Sequence, residues 1–181
     1  MPLELTLNTV GECLADLLRR DALHVALRQR AKFEGWLKVE LAHALAQRGA
    51  SVALEPGIEG TRCRADMTVR FPEEDYSLLM LKTVNTNFRF PGVESRTRPI
   101  TKNISGVIAD LEKLRSSTTS CPRLVVFPLF PVSASELTRA SQLSLHMGRV
   151  EAAGGRVERQ GFVVPPCSDG RWGLSWFVVV A

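Results

Sequence analysis

The chain has 181 residues, 45% of them hydrophobic and 23% charged, with a formal net charge of +4 at pH 7. That length suits one domain with its own core, so residues 1–181 are expected to fold as a unit. No apolar run approaches the roughly 20 residues that span a bilayer, and no membrane partner is expected. The opening "MPLELTLNTVGECLADLLRR" carries early acids and no uninterrupted apolar segment of the secretory kind. Cys13, Cys63, Cys121 and Cys167 lie far apart, form no C-x-x-C pair, and predict reduced thiols in a cytoplasmic protein. His24, His43 and His146 are isolated and offer no local metal-ligand pair.

Taken in chain order, residues 9–20 predict a short amphipathic helix with Leu14, Leu17 and Leu18 on one side. A longer helix is expected over 22–48, stopped by Gly49; Phe33, Trp36, Leu37, Leu41, Ala44 and Leu45 recur along it at helical spacing. "SVALEP" predicts a strand. "TRCRADMTVRF" alternates, which places Cys63, Ala65, Met67, Val69 and Phe71 on one face and Arg62, Arg64, Asp66, Thr68 and Arg70 on the other. "PEED" is a turn and residues 77–84 the next strand. Residues 85–100 have no period, which inside a compact domain points to function or disorder. A helix follows at 102–116, with Ile104, Val107, Ile108, Leu111 and Leu114 inward. "RLVVFPLF" predicts a strand covered on both faces. "SASE" fits a capping box that opens a helix ending near Gly154 and Gly155, and two strands close the chain at 156–164 and 173–180. Two helical crossovers predict an α/β fold, a mixed sheet with helices on both sides.

The polar side of the central hairpin carries the chemistry. If the strands around "PEED" pair antiparallel with their apolar residues together, Asp66 shares a face with Met80 and Lys82. On the preceding helix, Glu40 falls inside the apolar arc and Glu34 nearer its edge. A carboxylate turned toward a core needs a partner or a metal. In the plainer reading, Asp66 and Lys82 are a cross-strand ion pair, Glu40 is locally paired, and Met80 is core.

A helix with an inward glutamate, then a hairpin with Asp on one strand and an (Asp/Glu)-x-Lys pattern on the next, resembles the PD-(D/E)XK nuclease superfamily. The likeness covers residues 22–130 and implies a restriction-endonuclease-like core. It implies metal binding by Asp66 and Glu40, water activation or orientation by Lys82, and a magnesium or manganese cofactor if the site is active. Met80 stands where the resemblance expects the second carboxylate, and a thioether is a poor ligand for a hard cation. The implied function is therefore a metal-dependent phosphodiesterase acting on DNA or RNA, impaired at Met80. The alternative is a noncatalytic nucleic-acid-binding or regulatory protein that keeps the nuclease fold. A third possibility is an interaction protein whose basic loop meets an acidic protein surface. Arg89, Arg96, Arg98 and Lys102 form the expected phosphate-contacting set, beside a helix start that favours anions. Phe88 and Phe90 suit either base stacking or plugging the core edge.

Overall fold

A computed structural model describes residues 3–94, 100–133 and 142–181. Its helices are α1 (Leu3–Leu18), α2 (His24–Arg28), α3 (Glu34–Gln47), α4 (Ile100–Arg115) and α5 (Gln142–Ala152). Its strands are β1 (Ser51–Leu54), β2 (Met67–Arg70), β3 (Ser77–Leu81), β4 (Val84–Asn85), β5 (Arg123–Val132), β6 (Arg156–Val163) and β7 (Gly173–Val180). Among the described residues these seven strands make one mixed sheet in the order β1-β2-β3-β5-β7-β6, with β4 continuing β3 along β5. The β3–β5 pairing is parallel, because α4 carries the chain back between them; the β1–β2, β2–β3, β5–β7 and β6–β7 pairings are antiparallel.

Alternation along β3 divides the interior into two cores. Leu79 and Leu81 join one packed by α1 and α3, while Leu78 and Met80 join another packed by α4 and α5. The mixed α/β architecture with helices on both faces is thus as expected. β5 is apolar on both sides because both cores meet it: Leu124, Val126 and Phe130 face one, Val125, Phe127 and Leu129 the other.

Two local departures shape the site. The helix expected over 22–48 is split. At the end of α3, Gly49 takes φ +88 while Ala50 N–H donates to Leu45 O and Gly49 N–H to Ala46 O. That is a Schellman stop with glycine in its left-handed position. The same bonding ends α2, where Ala31 N–H donates to Ala26 O and Arg30 N–H to Leu27 O, but the left-handed residue is Arg30, at φ 49. A non-glycine residue there costs about 1 kcal/mol, and no glycine or asparagine marks this stop in the sequence.

The alternation expected over 61–71 also breaks, at Asp66. Met67, Val69 and Phe71 pack into the α1–α3 core, whereas Ala65 is buried in the α4–α5 core and Cys63 packs against it. Before Met67 the chain leaves the plane of the ladder as an arm: Glu55 N–H donates to Asp66 O, Ala65 N–H to Pro56 O and Ile58 N–H to Cys63 O. The arm's tip reaches the end of α4, where Thr118 N–H donates to Glu59 O.

Candidate functional site

Because β2 stops short of the end of β3, the last amides of β3 have no neighbouring strand on that side. Lys82 N–H still donates to Val126 O on β5. Leu81 N–H and Thr83 N–H instead find side-chain acceptors: Asp66 Oδ2 at 2.7 Å and Glu34 Oε2 at 3.1 Å. Two carboxylates therefore do what a strand's carbonyls would do, and an ionised acceptor makes each bond stronger than a neutral one.

The remaining oxygens face ammonium groups. Asp66 Oδ1 lies 3.7 Å from Lys38 Nζ, which also donates to Glu55 Oε1 at 2.7 Å. Glu34 Oε1 lies 3.6 Å from Lys82 Nζ. Lys82 extends to Asp110 Oδ2 at 3.0 Å, and Lys113 takes Asp110 Oδ1 at 2.8 Å. Asp110 is fully buried on α4, and its two lysines make that burial tolerable. Four carboxylates (Glu34, Glu55, Asp66, Asp110) and three ammonium groups (Lys38, Lys82, Lys113) thus interlock across α3, the hairpin and α4.

The electrostatics follow from these contacts. Burial alone would lower the Lys82 pKa. The close contact with Asp110, with charge attraction from Asp110, Glu34 and Asp66, more than offsets it and holds the pKa above the ordinary lysine value. Lys82 is therefore an ammonium at neutral pH and cannot take a proton from water there. Lys38 is likewise raised, chiefly by its hydrogen bond to Glu55, and the Glu55 carboxyl is lowered by the same bond.

The expected site residues separate. Asp66 and Lys82 come to one cluster, but they do not pair with each other directly: Lys82 goes to Asp110 and Glu34, Asp66 to Lys38 and the Leu81 amide. Glu40 is a correction. Its carboxylate pairs instead with Arg20, just past the end of α1, at 2.5 Å. Two residues on from Lys38 is about 200° around a helix, so Glu40 turns away from the residue that reaches Asp66. Met80 packs in the α4–α5 core at 6% exposure.

Magnesium and manganese take several oxygen ligands in near-octahedral array. Here both oxygens of Asp66, Glu34 and Asp110 already face a backbone N–H or a lysine. Among the described residues no three His, Cys, Asp or Glu side chains group to hold a metal ion. As arranged, the donor set does not fit the cation that the resemblance implies. The four cysteines are free thiols, and among the described residues no helix is long and apolar enough to cross a membrane.

In the basic loop, Arg89 and Asn87 are exposed, while Phe88 and Phe90 pack against the two cores, as plugs rather than free stacking platforms. Lys102 is exposed on the first turn of α4, and Asn103 Nδ2 donates to Asn85 O, tying that turn to β4. Arg96 and Arg98 lie outside the described residues. The arm adds exposed Arg62 and Arg64.

Sequence reasoning missed Lys38, Asp110, Lys113 and Arg30. Asp110 had a signal: it interrupts the inward stripe of α4 between Val107, Leu111 and Leu114. Glu34 and Lys38 also stand at the i,i+4 spacing of helix neighbours. Arg30 had none. No family model, no curated protein and no solved structure matches the chain.

Proposed function

We propose that this chain is a nucleic-acid-binding protein on a restriction-endonuclease-like core, holding DNA or RNA without cutting it. One observation carries the loss of cleavage: each carboxylate oxygen of Asp66, Glu34 and Asp110 faces an amide or an ammonium within 3.7 Å. Asp110 Oδ2 accepts no hydrogen bond from the lysine 3.0 Å away, and a buried methionine stands at position 80. Lysines supply the positive charge that a cation would supply in a nuclease, so no site remains to polarise a phosphate or a water. Support for the polyanion comes from Arg89, in the loop after β4, and Lys102, on the first turn of α4, both exposed, and from Arg62 and Arg64 on the arm. The +4 charge favours the same class of partner.

The rival is a working magnesium- or manganese-dependent phosphodiesterase. It draws on the convergence of Asp66, Glu34 and Lys82 at the end of one strand. One experiment separates the two. Labelled single- and double-stranded oligonucleotides are incubated with the chain at rising salt, with and without Mn²⁺. The expected result is binding that weakens steeply with salt and no Mn²⁺-dependent cleavage. Robust cleavage would overturn the noncatalytic half; salt-independent or absent binding would overturn the nucleic-acid half.

A further inference from the structure

Arg30 is the most unusual charged residue in the fold. It is 4% exposed, and among the described residues no carboxylate pairs with it. Burial lowers its pKa. Its Nε has no hydrogen-bond partner among the described residues, and its backbone sits in the left-handed region at φ 49. A side chain is thus buried without an acid, at a backbone position that glycine would occupy without strain. Unfavourable features that persist together at one residue point to a role.

The bonds that Arg30 makes identify that role. Its Nη1 donates to Thr86 O at 2.7 Å and its Nη2 donates to Phe88 O, so one planar fork holds two carbonyls of the basic loop. Asn85 Nδ2 donates to Arg30 O at 3.4 Å, which attaches the start of the same segment. Farther along, Glu94 N–H donates to Arg28 O at 2.8 Å, so the end of α2 and the turn after it hold this segment at Asn85 and again at Glu94. With Thr86 and Phe88 held by their carbonyls, Phe88 and Phe90 are set into the two cores while Asn87 and Arg89 face out.

We propose that Arg30 is the positioning residue of the polyanion-binding loop. Its guanidinium holds 86–88 so that Arg89 meets phosphate, while its charge, which no described carboxylate offsets, favours an anion at the loop. This inference rests on the nucleic-acid reading given above.

Arg30→Gly is the test: it relieves the left-handed strain but removes a buried side chain and the donors to Thr86 O and Phe88 O, so unchanged exchange in β5 is the check that the fold survives. Arg30→Lys keeps the charge and loses the fork. Amide hydrogen exchange over residues 86–90 is compared with exchange in β5, and oligonucleotide affinity is measured across a salt series. In Arg30→Gly the loop amides should exchange faster with β5 unchanged. The slope of log affinity against log salt should fall by about one, as for a lost phosphate contact. Arg89→Ala should lower the slope without freeing the loop, and the Arg30→Gly/Arg89→Ala pair should lower it by less than the sum of the two, because the positioning effect acts through Arg89 while the charge of Arg30 acts without it. Arg30→Lys should resemble Arg30→Gly in exchange and retain part of the affinity. Undiminished affinity and slope in Arg30→Gly, or loop exchange unchanged from the parent, would overturn the proposal. If the unmodified chain binds no oligonucleotide, the nucleic-acid reading itself falls; faster loop exchange in Arg30→Gly would then leave Arg30 as a structural clamp alone.

Discussion

Lys82 and Arg30 are both cations that contact the chain between β3 and the loop after β4, one partly exposed and one buried, and their surroundings differ. Lys82 sits among Asp110, Glu34 and Asp66, and its pKa is raised. Arg30 has two backbone carbonyls in place of any described carboxylate, and its pKa is lowered. The first environment is balanced within the protein and leaves little attraction for an outside ion. The second leaves a charge that no described acid offsets, against the loop after β4. The close set of acids around Lys82 is thus matched by lysines, while the charge of Arg30 lies where sequence patterning gave no reason to look. Each of the following variants breaks or sharpens that contrast.

The largest effect is expected at Met80. A carboxylate there enters the α4–α5 core beside a lysine already shared by two acids. Burying it without a dedicated partner should lower the unfolding free energy of Met80→Glu by about 3 kcal/mol in urea titrations without metal. A variant as stable as the parent would mean that the cluster has unused positive charge. Manganese then sharpens the comparison. A rise in Tm on adding Mn²⁺ to Met80→Glu, absent from the parent, would show that the lysines yield to a cation and would return the nuclease reading.

Lys82→Met comes next. It leaves buried Asp110 with Lys113 alone and frees Glu34 Oε1. Because Lys82 is itself 28% exposed, the loss should be about 2 kcal/mol, below that of a fully buried pair. The pH dependence has a definite sign. A lysine whose folded pKa is raised contributes fully below its unfolded value, near 10.5, and loses that contribution as pH rises through the higher folded value. The parent should therefore lose stability above about pH 10.5, and Lys82→Met should lose less over that window. Equal alkaline slopes in the two proteins would remove Lys82 from the network.

How far the sequence foretold this arrangement depends on whether a feature is periodic or singular. The leucine series of α3, the two-sided apolar run of β5, the stop after α5 and the closing strands all repeat a pattern, and each lies within a few residues of its expected place. Helix α1 begins at Leu3 rather than at residue 9, and Thr6 and Leu7 extend its buried stripe toward the N-terminus. What failed was singular. Nothing local shows that Arg30 will take glycine's place in a helix stop, so one long helix was expected. Nothing in an unbroken alternation shows that Asp66 will leave the ladder to cap Leu81. Asp66 and Lys82 were legible as neighbours, but their partners come from α3 and α4, and tertiary packing decides which helical acid faces the strand end. Periodicity placed Glu40 inside the apolar arc; the angle at which α3 meets the sheet brings Glu34 and Lys38 instead.

Glu40 supplies the smallest expected effect. Its pair with Arg20 joins groups 30% and 49% exposed, distant in role from the Lys82 cluster. Exposed pairs contribute between nothing and about 1 kcal/mol, so Glu40→Gln should change stability by no more than about 0.5 kcal/mol. The substitution is nearly isosteric and keeps a hydrogen-bond acceptor for Arg20, which limits the loss further. It should leave oligonucleotide affinity, salt slope and the response to Mn²⁺ unchanged. Glu34→Gln is the matched control. It removes charge from the oxygen facing Lys82 and weakens the acceptor of Thr83 N–H, so it should cost more than Glu40→Gln in the same titration. The order of the two is decisive. If Glu40→Gln is the more damaging, or if it alone alters divalent response, the charges that matter lie on the Arg20 side of α3 and not around Lys82.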